Sequence, residues 1–307
     1  MRRSFTCLVL AAAAMSGACS DATAPGNASA ADRTEIIGLL EESGWFSETF
    51  GTDSATSDAT LSVTAAFSPS VVAAVDTVPL TQRWGRVFHT ATNRTREIEV
   101  SGDTATVTWT VRFANGEFLL DRTRDAQVNP TSKPMDVSET MSATLLRRAE
   151  VDSAGRHWQL LTLTPGRLVN SATDRRTVQI TGIDVAVNGA VVKSITDAST
   201  REALGNLLDI QVGDTIRVTA HVSNSTGTGN VPETFVFLHL FHAGPQARGW
   251  LRVPMEPQGD GTWVRQWVAR FDGRQRMMVD AIDSQTFNSD TDDDYRAEVW
   301  GVPYRIH

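Results

Sequence analysis

Cysteine is almost absent from this chain of 307 residues, which has two, Cys7 and Cys19. No disulfide framework is available, so burial of apolar surface has to hold the fold together, and the length permits that. Positive charge is in deficit as well: 28 Lys and Arg stand against 36 Asp and Glu, for a formal net charge of -8. An acidic chain suits neither a nucleic-acid backbone nor, without a covalent anchor, an anionic lipid surface. Long apolar runs are missing. The apolar segment from Phe5 to Met15 is shorter than the roughly 20 residues that a spanning helix needs. Glycine-rich phosphate loops and the Gly-x-Ser-x-Gly elbow of serine hydrolases do not occur. Ser, His and Asp appear in no context that marks a catalytic triad, and nothing in the sequence calls for a cofactor.

What is present begins with an address. Arg2 and Arg3, the apolar segment and the small residues behind it form the three parts of a secretory signal over residues 1–18. Ser16-Gly17-Ala18-Cys19 resembles the lipobox of bacterial lipoproteins, although Ser16 stands where Leu is usual. The resemblance implies that Cys19 is lipidated and becomes the new N-terminus, with the membrane as its partner. The alternative is an ordinary signal peptide cut near Ala18, which leaves Cys19 as a free thiol. Cys7 leaves with the signal in either case. Cys19 then has nothing in its own chain to pair with in an oxidising compartment, and lipidation removes that liability. The expected location is the bacterial cell envelope, periplasmic or surface-exposed.

Residues 19–31 are mostly Ser, Asp, Ala, Thr, Pro, Gly and Asn, too poor in apolar surface to order themselves, and read as a flexible tether. Asp32 and Glu35 have capping-box spacing ahead of Ile36, Leu39 and Leu40, which predicts a helix from about Arg33 to Gly44. Leu61 to Val78 fits no single pattern. From Arg96 the period becomes two. Ile98 and Val100, then Ala105, Val107, Trp109, Val111 and Phe113, alternate with polar residues as in half-buried antiparallel strands. Asn115-Gly116 predicts a hairpin turn, and a second hairpin is expected from Met141–Arg148 through the turn Asp152–Gly155 to His157–Thr164. One helix and a long-stranded meander that closes on His157-Trp158-Gln159-Leu160-Leu161 resemble the NTF2-like fold. That resemblance covers about Arg33 to Leu168 and implies an α+β domain over residues 32–169, a helix packed on a cone-shaped antiparallel sheet. Enzymatic members usually line the cone with an Asp and a His or Tyr. No such pair is assignable: His157 falls at a turn and His89 in an unassigned stretch.

Residues 170–176 are polar and read as a linker. Beyond them come short strands at sandwich-like spacing, among them Val178–Val187, Thr215–Ser223 and Thr262–Phe271, with Phe235–Phe241 apolar on both faces and therefore central. Gly259-Asp260-Gly261-Thr262-Trp263 and the terminal Val299-Trp300-Gly301-Val302-Pro303-Tyr304 resemble bacterial Ig-like domains, which implies an all-β Ig-like sandwich over residues 177–307. The Ig cysteine pair is absent. Taken together, the halves resemble uncharacterised two-domain bacterial lipoproteins, a class that implies a location and no reaction.

Four features suggest chemistry. His239 and His242 lie three apart on a strand and face opposite ways, which argues against a shared metal. Trp250, Trp263, Trp267 and Trp300 are either sandwich core or a sugar-stacking platform. Arg265, Arg270, Arg274 and Arg276 form a basic patch, explained as a solvated strand edge. Asp290, Asp292 and Asp294, with Asp293 between them and Asp280, Asp283 and Glu298 on the flanking strands, are candidate calcium ligands. They are not an EF-hand, because Tyr295 and Gly301 occupy the positions that need Gly and an acid. No metal and no catalytic residue is assigned. The expectation is a non-catalytic binding or interaction module facing an envelope protein or glycan. The alternatives are an envelope enzyme that uses the cone as its pocket, and carbohydrate binding through the sandwich tryptophans. An ionisable side chain with a displaced pKa inside the cone would favour the enzyme.

Overall fold

The computed structural model describes residues 26–46, 83–121 apart from 90 and 92, 130–226, 234–244, 247–288 and 295–307. Leu61 to Val78 lies outside the described residues.

Helix α1 runs from Ala30 to Glu42. It begins before the expected Arg33 because Ser29, rather than Asp32, is the cap. The Ser29 hydroxyl accepts from the Asp32 backbone N–H at 3.1 Å and donates to the Asp32 carboxylate at 2.7 Å, which puts Asp32 three residues into the motif. The helix stops where Gly44 takes a φ of 75°, a left-handed conformation that glycine adopts without strain. Its buried residues are Ile36, Leu39 and Leu40.

The strands of five residues or more are β1 (Arg83–Val87), β2 (Asn93–Ser101), β3 (Thr104–Asp121), β4 (Thr131–Arg147), β5 (Trp158–Leu163), β6 (Gly166–Asn170), β7 (Val178–Val187), β8 (Ala190–Ile195), β9 (Thr215–Asn224), β10 (Thr234–Gly244), β11 (Ala247–Pro254), β12 (Thr262–Val268), β13 (Gly273–Asp283) and β14 (Ala297–Ile306). A short helix, α2 (Ser284–Asn288), follows β13. The main path of a 13-stranded sheet is β2-β3-β4-β6-β14-β13-β10-β11, with β1 added against β3 and β5 against β4. Strands β12-β9-β7-β8 form most of a second, 5-stranded sheet.

The expected hairpin at Asn115-Gly116 is not a turn. β3 passes straight through it, and the register against β4 slips between Phe113 and Gly116, a bulge that places Ala114 and Asn115 against one residue of β4. The bulge keeps one face buried. Odd positions from Ala105 to Phe113 point inward before it, and even positions Gly116, Phe118 and Leu120 do so after it. Gly116 is where β4 comes closest: a Cβ there would lie 2.6 Å from Met135 Cε and 3.1 Å from the Met135 carbonyl oxygen. The second expected hairpin does form, β4 pairing antiparallel with β5 across a turn closed by Gly155 N–H donating to Asp152 O at 2.9 Å.

The α+β NTF2-like domain followed by a separate Ig-like sandwich is therefore corrected. Most described residues are strand, and the chain builds one large curled antiparallel sheet with no helix-on-sheet layer. The physical reason lies in the strand lengths. β3 and β4 are 18 and 17 residues long, and strands of that length coil strongly under their right-handed twist. The sheet thus folds over its own inner face. Trp84, Phe118, Phe237 and Phe287 interlock there with ring centroids 4.9–6.3 Å apart.

Neither does the second half keep its sandwich to itself. Strands β13 and β14 belong to the large sheet and serve two cores. Met277, Val279 and Ala281 pack with the second sheet, whereas Met278 and Ile282 pack with the core of α1, β3 and β4. The coarse expectation of a β-rich, sandwich-like arrangement stands. β10 lies between β11 and β13, and Val236 to Leu240 are buried whichever way they point, in keeping with an apolar strand at the centre.

Candidate functional site

Two groups of charged side chains stand out, one closed to solvent and one open. The closed group lies inside the curl. Trp84 and Arg86 are two apart on β1 and point the same way, toward β10 and β13. Arg86 donates from Nη1 and Nη2 to the two carboxylate oxygens of Asp280 at 2.6 and 2.7 Å, and from Nε to the Tyr295 hydroxyl at 2.6 Å. His239 Nε2 lies 3.0 Å from Asp280 Oδ2. Arg252 caps the group, its guanidinium 3.6 Å from the Trp84 ring centroid and its Nη2 donating to the Trp84 carbonyl. Burial by itself raises the pKa of Asp280. The charge of Arg86, with hydrogen bonds from His239 and Arg86, outweighs it and holds the carboxyl well below the usual carboxylate range. Here is an ionisable side chain with a displaced pKa on the inner side, the sign proposed for an enzyme. Its displacement is downward and its oxygens are taken, which suits a structural anion more than an acid or base.

The open group lines a cleft of about 470 Å³ between the end of α1, the β4–β5 turn and the ends of β13 and β14. Leu39, Trp45, Trp158 and Leu160 are its buried apolar wall. Arg148, Arg156, Arg274 and Arg305 supply cations and Glu42 and Asp152 anions. Both acids are spent on one arginine: Arg156 donates from Nη1 to Glu42 at 2.7 Å and from Nε to Asp152 at 2.9 Å. Backbone and side-chain donation from Arg156 and the Ala154 N–H hold the Asp152 carboxyl below its ordinary range. The other three guanidinium groups meet neutral acceptors or none. Arg148 Nε donates to Gln159 Oε1 at 2.6 Å and Arg274 Nη1 to the Ser43 carbonyl at 2.8 Å, while Arg305 Nε is buried without a hydrogen-bond partner.

No family model, curated protein or solved structure matches this chain. Function has to be read from the residues alone.

The structure scatters the residues singled out in the sequence. Cys19 and the acidic loop with Asp290, Asp292, Asp293 and Asp294 lie outside the described residues. Asp280, Asp283 and Glu298 do not converge: Asp280 is held by Arg86, Asp283 accepts from Thr226 at 2.7 Å, and Glu298 accepts from Arg167, Trp300 and the Ile180 N–H. Among the described residues, no three His, Cys, Asp or Glu side chains gather into a set able to hold a metal. Trp300 is buried in the sandwich core, and Trp263 and Trp267 are partly buried against it, so these three form no flat exposed platform. Of the basic patch, Arg274 and Arg276 turn to the chain end of α1, donating to the Ser43 and Trp45 carbonyls at 2.8 and 2.6 Å. They complement the negative end of the helix dipole.

Sequence reading missed Arg86, Arg148, Arg156 and Arg305. Arg86 had a usable signal, since Trp84-x-Arg86 sets an aromatic and a cation on one strand face. The missed cleft arginines had none, because Arg148 and Arg156 flank the β4–β5 turn while Arg305 comes from the last strand, far along the chain.

Proposed function

We propose that the protein is a lipid-anchored component of the bacterial cell envelope that acts as a non-catalytic binding module. The observation that carries the binding half is the composition of the open cleft. It joins a concave apolar wall to arginines that have donors to spare, the usual make-up of a site that orients a small ligand. Both of its acids, Glu42 and Asp152, are held by Arg156. Support for the anchor comes from the lipobox-like run ending at Cys19. No described helix is long and apolar enough to cross a membrane.

Fractionation tests the reading. Cys19→Ala is expected to move the protein from the membrane pellet into the soluble fraction in detergent-free buffer, and unchanged pelleting overturns the anchor.

A further inference from the structure

We infer that the cleft at the end of α1 is a binding site for an oxyanion, a carboxylate or a phosphate, carried on an apolar body. The inference rests on the binding-module reading and gives its ligand class.

Charge accounting is the first argument. Of the four arginines that line the cleft, Arg156 is matched by both Glu42 and Asp152. Among the described residues, Arg148, Arg274 and Arg305 have no carboxylate partner. Three like charges without a carboxylate partner around one concavity repel each other and raise the local potential, and walls of low dielectric focus that potential inward. The whole chain is acidic, so a cationic cleft runs against the average surface.

Hydrogen bonding is the second. Each guanidinium has five N–H donors in a planar fork shaped for carboxylate and phosphate oxygens. The contacts above occupy one donor on Arg148 and one on Arg274. Arg305 Nε is buried without a partner, a donor whose desolvation nothing among the described residues repays. An oxyanion seated among these side chains supplies the acceptors they lack.

The wall gives the other half of the ligand. Trp45 and Trp158 are 4% and 2% exposed and, with Leu160, present carbon to the cleft. A bare inorganic ion leaves that surface wet. An anion attached to an aromatic or aliphatic body covers it, and the volume lies within the range of small-ligand sites, roughly 300–1,000 Å³.

The test is titration calorimetry on the purified full chain with four probes: inorganic phosphate, phenyl phosphate, phenylacetate and the neutral phenylacetamide. Phenyl phosphate or phenylacetate is expected to bind at least tenfold more tightly than inorganic phosphate, with phenylacetamide bound weakly or not at all. Whichever of the two binds better assigns the oxyanion as phosphate or carboxylate. Arg148→Gln combined with Arg305→Gln is expected to weaken that binding at least tenfold at an unchanged melting temperature. Glu42→Gln, which releases Arg156 from one of its two acids, is expected to strengthen it. Equal binding of phenylacetamide, no binding of any anion, or full affinity in the double variant overturns the oxyanion site. Release of phenol from phenyl phosphate overturns the non-catalytic reading instead, and leaves the ligand class intact.

Discussion

Arg86 and Asp280 meet inside the curled sheet as a bidentate ion pair, with 1% and 0% of their side chains exposed. One lies on β1, which hangs from β3, and the other on β13, several strands away along the sheet. The pair therefore fastens the curl across its inside. A buried pair of this kind contributes less through its attraction than through what its loss leaves behind, because either charge alone is stranded in low dielectric.

Arg86→Met is accordingly expected to cost about 3–5 kcal/mol, the range for breaking a buried pair from one side. Arg86→Met with Asp280→Leu is expected to recover much of that, because no charge remains to be solvated. Urea denaturation of the parent, of Arg86→Met, of Asp280→Leu alone and of the double variant checks the order. Full additivity of the two single losses would show that the partners do not act on each other.

The same pair sets a pH dependence. The folded pKa of Asp280 lies below its unfolded value of about 3.9, so its stabilisation is fully present above that value and is lost as pH falls through the folded one. Asp280→Asn is expected to lower stability at neutral pH and to flatten the decline of melting temperature between about pH 4 and pH 2. An acid limb as steep as in the parent protein would remove Asp280 from the account.

Much of this was legible in the sequence, and the failures have particular causes. Period-two alternation from Ala105 to Phe113 gave both the strand and its buried face. At Asn115-Gly116 the pattern changed parity, which a turn and a bulge both explain. Turn chemistry favoured the turn, and the need for Gly116 to pass against Met135 decided for the bulge. Helix α1 was found from Ile36, Leu39 and Leu40, with its start misplaced because Ser29 lay in a stretch that read as tether. The division at 170–176 was drawn from a polar stretch between a helix-plus-meander pattern and a run of short strands. Polarity reports exposure and is silent about strand pairing, so it gave no hint that β6 and β14 share a sheet. The cleft was illegible for the same reason: Glu42, Arg148 and Arg305 converge only when the sheet closes.

Gly116→Ala tests the bulge directly. The added methyl meets a movable side-chain end, Met135 Cε, and a backbone oxygen that cannot easily give way. The expected loss is about 1–3 kcal/mol, in the range for overpacking a close contact. An unchanged urea midpoint would mean that β3 and β4 can separate there without penalty.

The start of α1 is also a clamp. Asp32 accepts from the Trp158 indole N–H at 3.0 Å and from Arg147, and Glu35 accepts from the Trp158 backbone N–H at 2.7 Å. The Ser29 hydroxyl, opposed by burial and aided by Trp158 and Arg147, holds the Asp32 carboxyl below its usual range. Asp32→Ala leaves the indole donor of a buried tryptophan without its acceptor, and is expected to cost about 1–3 kcal/mol. Faster hydrogen exchange confined to α1 and the start of β5 locates the effect. Uniform acceleration throughout would mean that the clamp is part of the global core.

The last prediction concerns the polar stretch at 170–176. A protease that cuts after Arg175 or Arg176 severs the chain between β6 and β7, yet β6 stays hydrogen-bonded to β14 from the far side of the cut, with Leu168 opposite Val299. Side chains reinforce the seam: Arg167 donates to Glu298 at 2.6 Å, and Asn170 both donates to the Tyr295 carbonyl and accepts from the Ala297 N–H, each at 3.0 Å. Glu298 is 1% exposed and also accepts from the Ile180 N–H just beyond the cut, so it ties both fragments to one carboxylate. Separating the pieces would open a sheet and uncover Met278, Ile282 and Val299, which the N-terminal piece buries. Exposing a fully buried side chain of that size costs about 1.5–3 kcal/mol. Limited trypsin digestion is therefore expected to give two fragments on a denaturing gel that elute together at the native volume. Elution as two smaller species would mean that the seam between β6 and β14 is too weak to hold the halves, and that each folds on its own core.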